Sequence, residues 1–402
     1  MTAFAAAPAE DKPASLAAGP LAGLKVLELG QLIAGPFAGK TLGDFGAEVI
    51  KVEPPATSTT PGGDPLRQWR LLHNGESVWW QVQSRNKKSV TLDLRKESDR
   101  AIARKLATEV DVLIENFRPG LMEDWGMSYE TLAAANPRLI MLRISGYGQT
   151  GPYRDLPGFA VVAEAMGGLR HLMGEPGRPP VRAGVSLGDT LAALHGVIGV
   201  LLALQARQRT GRGQVVDVAL YESVFNCMES LLPEFSAFGA VREPAGSALP
   251  GIAPSNAYRC ADGQVVIGGN GDSIFKRLMT AIGRDDLGND PALSGNAGRA
   301  VRVDELDAAI TAWTVQRPVS EVVDTLQAVR VPVGRIYTAR DIAEDPHYRA
   351  RGMIERIVTA SGLALDVPGI TPKLSETPGA IRTLAPGLGE SNDEVLGRVT
   401  RN

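Results

Sequence analysis

One carboxylate among many stands where it could react. Asp189 follows Gly188 and precedes a long apolar helical pattern that stops near Thr210-Gly211-Arg212-Gly213. Two readings of that position stand side by side. Asp is a common N-cap, its oxygen accepting a backbone N–H of the first helical turn. Alternatively, a carboxylate presented at a strand-to-helix turn, with a glycine leaving room beside it, can serve as a nucleophile. A carboxylate is ionised at neutral pH and needs no base to attack an activated acyl group.

Three other stretches carry chemistry-bearing residues. Ser84-Arg85-Asn86-Lys87-Lys88-Ser89 is a basic turn, read either as a solvated edge or as a phosphate patch. Asn116, Phe117 and Arg118 follow the apolar run Val112-Leu-Ile-Glu, and Ser145-Gly-Tyr147-Gly148-Gln-Thr-Gly-Pro follows Leu139-Ile-Met-Leu-Arg-Ile. Each reads as a loop at the carboxyl end of a buried strand, where open α/β sheets bind ligands. The two cysteines, Cys227 and Cys260, have no metal-ligand spacing and suit a reducing cytoplasm. The net charge of −3 supplies no basic field for nucleic acid or an anionic membrane. The apolar run Leu191–Leu204 is short for a bilayer span.

The elements that must position these residues follow from their patterns. Leu24–Gly30 reads as a strand, Ala34–Gly46 as a helix with Pro36 in its first turn, and Ala47–Glu53 as a second strand, which makes a βαβ unit. Glycines 30, 35 and 39 do not form the G-x-G-x-x-G dinucleotide fingerprint. A helix is expected over Asp99–Thr108, another from Phe159, and a strand from Gly213 followed by a helix over Glu222–Glu234. Gly196 and Gly199 inside the helix after Asp189 imply close contact with another helix or backbone. Tyr258–Gly268 reads as a hairpin turning at Asp262-Gly263, followed by helical patterns. The expected organisation is a disordered tail at 1–19, a Rossmann-like α/β domain at 20–234, a smaller α+β domain at 235–335, and a return segment at 336–402 that completes the large domain.

Taken together, several runs resemble the class III CoA-transferases. They are Gly23-Leu-Lys-Val-Leu-Glu-Leu, Ala34-Gly-Pro-Phe-Ala, Gly46-Ala-Glu-Val-Ile-Lys-Val-Glu, Arg85-Asn-Lys-Lys-Ser, Glu115-Asn-Phe-Arg-Pro-Gly, Gly146-Tyr-Gly-Gln-Thr-Gly-Pro and Thr210-Gly-Arg-Gly-Gln-Val-Val-Asp. Each motif alone is modest; the ordered set, over about residues 20–396, is specific. The resemblance implies an interlocked homodimer, coenzyme A as a substrate with no tightly bound cofactor and no metal, and Asp189 as the nucleophile. It implies that Gln31, Ile33, Ala34, Tyr147, Gly148 and Gly251 line the acyl site. It also places the coenzyme A moiety near Arg85, Lys87, Asn116, Phe117 and Arg118.

The resemblance also separates subgroups. The related acyl-CoA racemases carry an acid–base His in a Gly-His-Asp run after the glycine loop, where this chain reads Gly158-Phe159-Ala160. His195, behind Asp189, reads as a packed or partner-bonded residue. Formyl-CoA transferase has Gln before Ala-Gly-Pro, where this chain has Ile33, and the family's tetraglycine loop is replaced by Leu249-Pro-Gly251-Ile or by Gly268-Gly-Asn-Gly. The expectation is therefore transfer of CoA from a donor such as succinyl-CoA to a carboxylic acid of the dicarboxylate type. Arg154, Arg170 and Arg182 are candidate cations for a distal carboxylate. The alternatives are a racemase-like acyl-CoA isomerase and a non-catalytic acyl-CoA binding protein.

Overall fold

Strands buried on both faces need uninterrupted apolar runs, and six such runs assemble into one sheet. The computed structural model describes residues 19–400, and the expected tail lies outside the described residues apart from Gly19. The strands are β1 (Lys25–Glu28), β2 (Glu48–Glu53), β3 (Lys87–Thr91), β4 (Val112–Glu115), β5 (Ile140–Ser145) and β6 (Val215–Ala219). They pair in parallel in the order β3-β2-β1-β4-β5-β6, the doubly wound order with its switch point between β1 and β4.

Parallel neighbours require crossovers, and helices supply them. Helix α1 (Ala34–Asp44) links β1 to β2, α2 (Glu97–Thr108) links β3 to β4, and α3 (Ala160–Met166) with α4 (Leu187–Thr210) lies between β5 and β6. Side chains alternate across the sheet, so each strand feeds two cores. Val26, Val112, Ile114, Leu142 and Ile144 meet Ala34 and Ala38 of α1 and Ala192, Ala193 and Val197 of α4. Leu27, Leu113 and Met141 meet Ala103 and Leu106 of α2 on the other face.

The long helix α4 ends at Gly211, whose φ of 71° only glycine adopts cheaply, and whose N–H caps the Arg207 carbonyl at 2.9 Å. Gly196 and Gly199 are accounted for by the sheet's side chains rather than by another helix or backbone. A Cβ on Gly196 would stand 3.0 Å from Leu142, and one on Gly199 would overlap Val216. By length and composition α4 is also long and apolar enough to cross a membrane. The helix expected over 222–234 is two helices, α5 (Leu220–Phe225) and α6 (Leu231–Phe238). Between them Glu229 adopts φ 51°, through which an α-helix cannot continue.

The described chain forms two compact units, one of residues 19–169, 183–229 and 346–400, the other of 170–182 and 230–345. The second unit takes in a short earlier excursion, Arg170–Arg182, that local pattern does not mark. It contains a three-stranded antiparallel sheet of β7 (Ser255–Arg259), β8 (Gln264–Gly268) and β9 (Val333–Arg335), in the order β9-β8-β7. Helices α7 (Asp272–Ala281), α8 (Val303–Thr314) and α9 (Val319–Ala328) cover it around Val265, Ile267, Leu278, Ile310 and Leu326. The chain then returns to the first unit and ends in α10 (Asn392–Thr400), whose Val395 joins the core of Leu27 and Val90.

Replacing Gly199 by Ala gains about 1 kcal/mol of helix propensity but forces overlap with Val216, which costs about 1–3 kcal/mol. Gly199→Ala is therefore expected to lower the urea midpoint, and Gly199→Ala combined with Val216→Ala to restore part of it.

Candidate active site

Asp189 is not a helix cap. Helix α4 starts at Leu187 with Ser186 at the N-cap, so Asp189 is the third helical residue, half-buried in the first turn. A carboxylate there faces the positive end of the helix dipole. Its neighbour Gly188 is buried, and a Cβ on it would lie 3.2 Å from the Ala160 carbonyl oxygen and 3.3 Å from the Ala160 Cβ. A side chain at 188 would crowd the start of α3, which must shift by a few tenths of an ångström to admit it. The Gly188 N–H also points at Oε1 of the buried Glu164, at 3.4 Å.

The glycine loop after β5 comes to the same place. Gly146 and Gly158 stand back to back, so that a Cβ on Gly146 would sit 2.9 Å from the Gly158 Cα. Tyr147 stacks at a tilt on Tyr221 of α5, 6.2 Å between centroids, and edge-on to Tyr153 at 6.0 Å. The Gly148 N–H donates to Ser145 Oγ at 3.0 Å and the Gln149 N–H to Asp217 at 3.0 Å, so the loop is fixed by its own strand and by β6. Tyr147, Gly148, Gly188 and Asp189 are thus brought together through Gly158–Ala160. Phe159, at the place where the racemases carry their His, is 70% exposed. His195 bonds the Leu191 carbonyl at 2.9 Å, one turn back along α4.

A second group forms at the carboxyl ends of β1 and β4. Gln31 and Asn116 face each other: the Gln31 N–H donates to Asn116 Oδ1 at 2.8 Å, and Asn116 Nδ2 donates to the Gln31 carbonyl at 2.9 Å. Leu32 has φ 64°, and its N–H donates to both oxygens of Asp64, each at 3.1 Å. The Ile33 carbonyl accepts from Gln83 Nε2 at 2.9 Å, and Ala34 opens α1. Because α1 and α4 both run antiparallel to the strands on one face of the sheet, their first turns lie at the same edge. Two helix N-termini at one edge favour anionic ligands.

Beneath this edge lies a buried charge network that local pattern reading passed over. Lys51 Nζ is fully buried and bonds Glu28 at 3.0 Å, Asp64 at 2.8 Å and the Gly30 carbonyl at 2.8 Å. Burial pulls the ammonium's pKa down, but the charges of Asp64, Glu28 and Glu53 carry it above its ordinary value. Glu53 in turn holds Arg67 and Ser89, at 2.8 and 2.6 Å. A readable trace existed: Lys51 and Glu53 interrupt a strand that parallel pairing would make wholly apolar.

The residues assigned to coenzyme A divide. Arg85 and Lys87 are buried and paired within the protein, so the turn is not a solvated edge. Arg85 is 2% exposed, with its guanidinium on both oxygens of Asp44 at 2.9 and 2.7 Å and on the Pro368 carbonyl at 2.6 Å. Lys87 Nζ is buried on Glu28 and the Pro36 carbonyl, and burial, outweighing Glu28, holds it below its ordinary value. A half-buried Phe117 packs edge-on against Trp125 at 5.2 Å, and its N–H donates to Glu115. Burial pushes the Glu115 carboxyl up to about 7 against the pull of Arg143, 2.7 Å away. Arg118 is well exposed, with a loose 3.4 Å pair to Asp124, so of these cations it is the one open to a phosphate.

Gly251 belongs to the second unit, in an exposed turn with φ 76° and open space where a Cβ would be. In the competing stretch at 268–271, Gly269 is buried against Leu278 and Pro254, while Asn270 is exposed. Arg170 and Arg182 also lie in the second unit, and Arg154 pairs with Asp155 at 3.3 Å. A cleft of about 1050 Å³ runs past Arg67, Trp80, Lys88 and Arg382 in the first unit. Its cations are held by Glu53, by Glu48 and Glu394, and by backbone carbonyls. Asp189, Tyr147 and Gln31 do not line that cleft. Among the described residues no His, Cys, Asp and Glu cluster could hold a metal ion.

A model of CoA-transferase family III matches residues 21–392. The chain belongs to CoA-transferase family III. Succinyl-CoA–D-citramalate CoA-transferase of Chloroflexus aurantiacus is 47% identical, over 94% of this chain and 93% of that protein. The succinate–glutarate CoA-transferase of Agrobacterium fabrum is 32% identical, over 94% of this chain and 95% of its own length. A CAIB/BAIF family protein from Brucella suis has a crystal structure that superposes with a TM-score of 0.82 at 34% identity, covering 95% of this chain and 99% of that one. The mixed α/β fold with its parallel central sheet is thus that of the family, and the chain is a class III CoA-transferase.

In this CoA-transferase the network beneath the edge makes stability depend on acid. Burial would raise the carboxyls of Glu53 and Asp64. Arg67 and Lys51 outweigh it and hold both below their ordinary values of 4.5 and 3.8. At low pH the unfolded chain therefore binds more protons than the native one. The stability these groups contribute is fully present above about pH 4.5 and lost as the pH falls through their native values. Urea unfolding at a series of pH values is expected to show this acid limb, and Glu53→Gln to flatten it.

Proposed function

We propose that the chain transfers coenzyme A from succinyl-CoA to a second dicarboxylic acid through covalent intermediates on Asp189. One observation carries the reading. The sole carboxylate in the first turn of α4 stands half-buried at the ligand edge, beside a glycine that admits the start of α3 and the Gly146–Gly158 loop pair. The substrate class is supported by the relatives, which are named for D-citramalate, L-malate and glutarate.

The sequence of steps balances without a base. An Asp189 oxygen attacks the thioester carbonyl and expels CoA thiolate, leaving a mixed anhydride. The thiolate attacks the aspartyl carbonyl, which releases the donor as its carboxylate and leaves an aspartyl-CoA thioester. The incoming carboxylate then displaces the thiolate to form a second anhydride. Attack of the thiolate on the acceptor's acyl carbon gives the new acyl-CoA and restores Asp189. The helix N-terminus stabilises the negative charge that each step develops. Hydrolysis would waste either intermediate, so water must be excluded. Phe117 and Arg118 are the side chains of the coenzyme A group that remain open to take the nucleotide end.

A second copy of the chain completes this reading. Leu194, Ile198, Leu201 and Leu202 of α4 are 41–65% exposed, an apolar face that interlocked dimerisation would cover. On this view α4 is a core helix, since Gly196 and Gly199 seat it on β5 and β6, and the protein is a cytoplasmic homodimer.

Incubation with succinyl-CoA and hydroxylamine should convert Asp189 to a hydroxamate, read by peptide mass spectrometry. Asp189→Asn should lower transfer by roughly 10³-fold or more. An active enzyme that leaves Asp189 untagged would refute the covalent route. Deuterium exchange at the α-carbon without an acceptor acid would favour an isomerase.

A further inference from the structure

We propose that Asp64 and Asn116 are positioning residues that hold the Gln31–Ile33 loop in the one conformation able to receive the acyl end of the substrates. The proposal rests on the transferase reading of this edge, and it names residues that neither touch the reacting atoms nor take part in any step.

The backbone of this loop is held by side chains. The Gly30 carbonyl accepts from Lys51 Nζ, at 2.8 Å. The Gln31 N–H donates to Asn116 Oδ1 and the Gln31 carbonyl accepts from Asn116 Nδ2, at 2.8 and 2.9 Å. The Leu32 N–H is shared between the two oxygens of Asp64. The Ile33 carbonyl accepts the Phe37 N–H at 2.7 Å, as the opening bond of α1, and also Gln83 Nε2. Only the Gly30 N–H finds a sheet partner, Ile114 O at 3.2 Å. Over Gly30–Leu32, three side chains from three separate segments, Lys51, Asp64 and Asn116, thus replace the ladder that a continuing strand would have supplied, and Gln83 adds a bond where α1 begins.

Such a loop stores strain. Leu32 sits at φ 64°, a region that side chains with a Cβ avoid, and the surrounding bonds must hold it there. Asp64 is the centre of that hold. It is 1% exposed, so no substrate reaches it, yet it joins Leu32, Lys51 and, through Lys51, the Gly30 carbonyl. It also caps its own short helix by accepting the Leu66 N–H at 2.9 Å. Asn116 plays the matching part from β4. Its amide is occupied by Gln31, which makes it a holder of the acyl-side loop rather than a direct ligand of coenzyme A.

Loss of either holder frees the loop to leave the left-handed conformation, and the binding surface built on Gln31, Ile33 and Ala34 is then assembled only part of the time. The cost falls on binding, because Asp189 is held separately by α4. Full-length Asp64→Ala, Asp64→Asn and Asn116→Ala test this by two independent readouts. Hydrogen exchange across residues 30–33 should quicken by about tenfold or more in Asp64→Ala, while exchange in β5 and α4 stays unchanged. With succinyl-CoA and an acceptor acid, KM for the acid should rise by about tenfold in Asp64→Ala and Asn116→Ala, with kcat per hydroxylamine-taggable Asp189 within about threefold of the unsubstituted enzyme. Asp64→Asn keeps an oxygen for the Leu32 N–H and should recover most of the KM. Asp64→Ala also lowers the melting temperature, because it leaves Lys51 short of a partner, so the KM decides: a purely structural role would lower the taggable fraction and leave KM unchanged. Unaltered exchange at 30–33, or an unaltered KM in both alanine variants, overturns the proposal. Failure of the unsubstituted protein to transfer CoA at all overturns the Asp189 reading instead, and the exchange pattern alone then decides the loop.

Discussion

An ammonium group with no water around it has to be matched by protein, and Lys51 is matched on every side. Its partners come from β1, from the loop before Leu66 and from the backbone at the end of β1. Removing any one leaves a buried charge short of a partner, which typically costs about 3–5 kcal/mol. The network therefore forces three separated pieces of chain into register before the site above it can exist. Glu28 is shared with Lys87, which draws the edge strand β3 into the same constraint.

The sheet supplies the other half of the design. A doubly wound order with every neighbour parallel puts all strand carboxyl ends, and every crossover helix's first turn, at one edge. Gln31 after β1, Asn116 after β4, Tyr147 after β5 and Asp189 at the start of α4 share that edge because of topology, despite their separation in sequence. The helix dipoles and the buried network differ in kind. The first is an attraction for anions that any such fold has, and the second is a fixed geometry particular to residues 28–67.

Much of this was legible before any coordinates. The strand–helix alternation, the three loops at strand ends and the separate small domain follow from apolar periodicity and glycine placement. Gly188-Asp189 stood out too, but only the ordered motifs lifted it above an ordinary cap. The structure then places Ser186, not Asp189, at the N-cap, because the helix starts three residues earlier than a cap at Asp189 requires. What local pattern could not deliver was the fate of charges. Arg85 and Lys87 look like surface donors in a string of letters, whereas Asp44 and Glu28, 41 and 59 residues away, draw them inside. The same holds for Asp64, whose partners Leu32 and Lys51 are distant in sequence and adjacent only after β1 and β2 pair. Long-range electrostatic pairing leaves little trace in a local window except as a charge where the pattern demands an apolar residue.

The division of the chain bears on how it is made. The first unit draws on three separate stretches, and its last piece begins at residue 346. Val395 of α10 completes the apolar layer over Val90 and Leu92, and Asn392 bonds the Thr91 backbone of the edge strand at 2.8 Å. During synthesis, at about 5–20 residues per second, the six-stranded sheet is translated many seconds before the helix that covers its flank. For that interval β3 is an unprotected strand edge, the kind of surface that pairs with other nascent chains. The large unit therefore cannot finish folding as it emerges, and truncation near the C-terminus would expose an aggregation-prone edge without touching Asp189 or the loops after β1, β4 and β5.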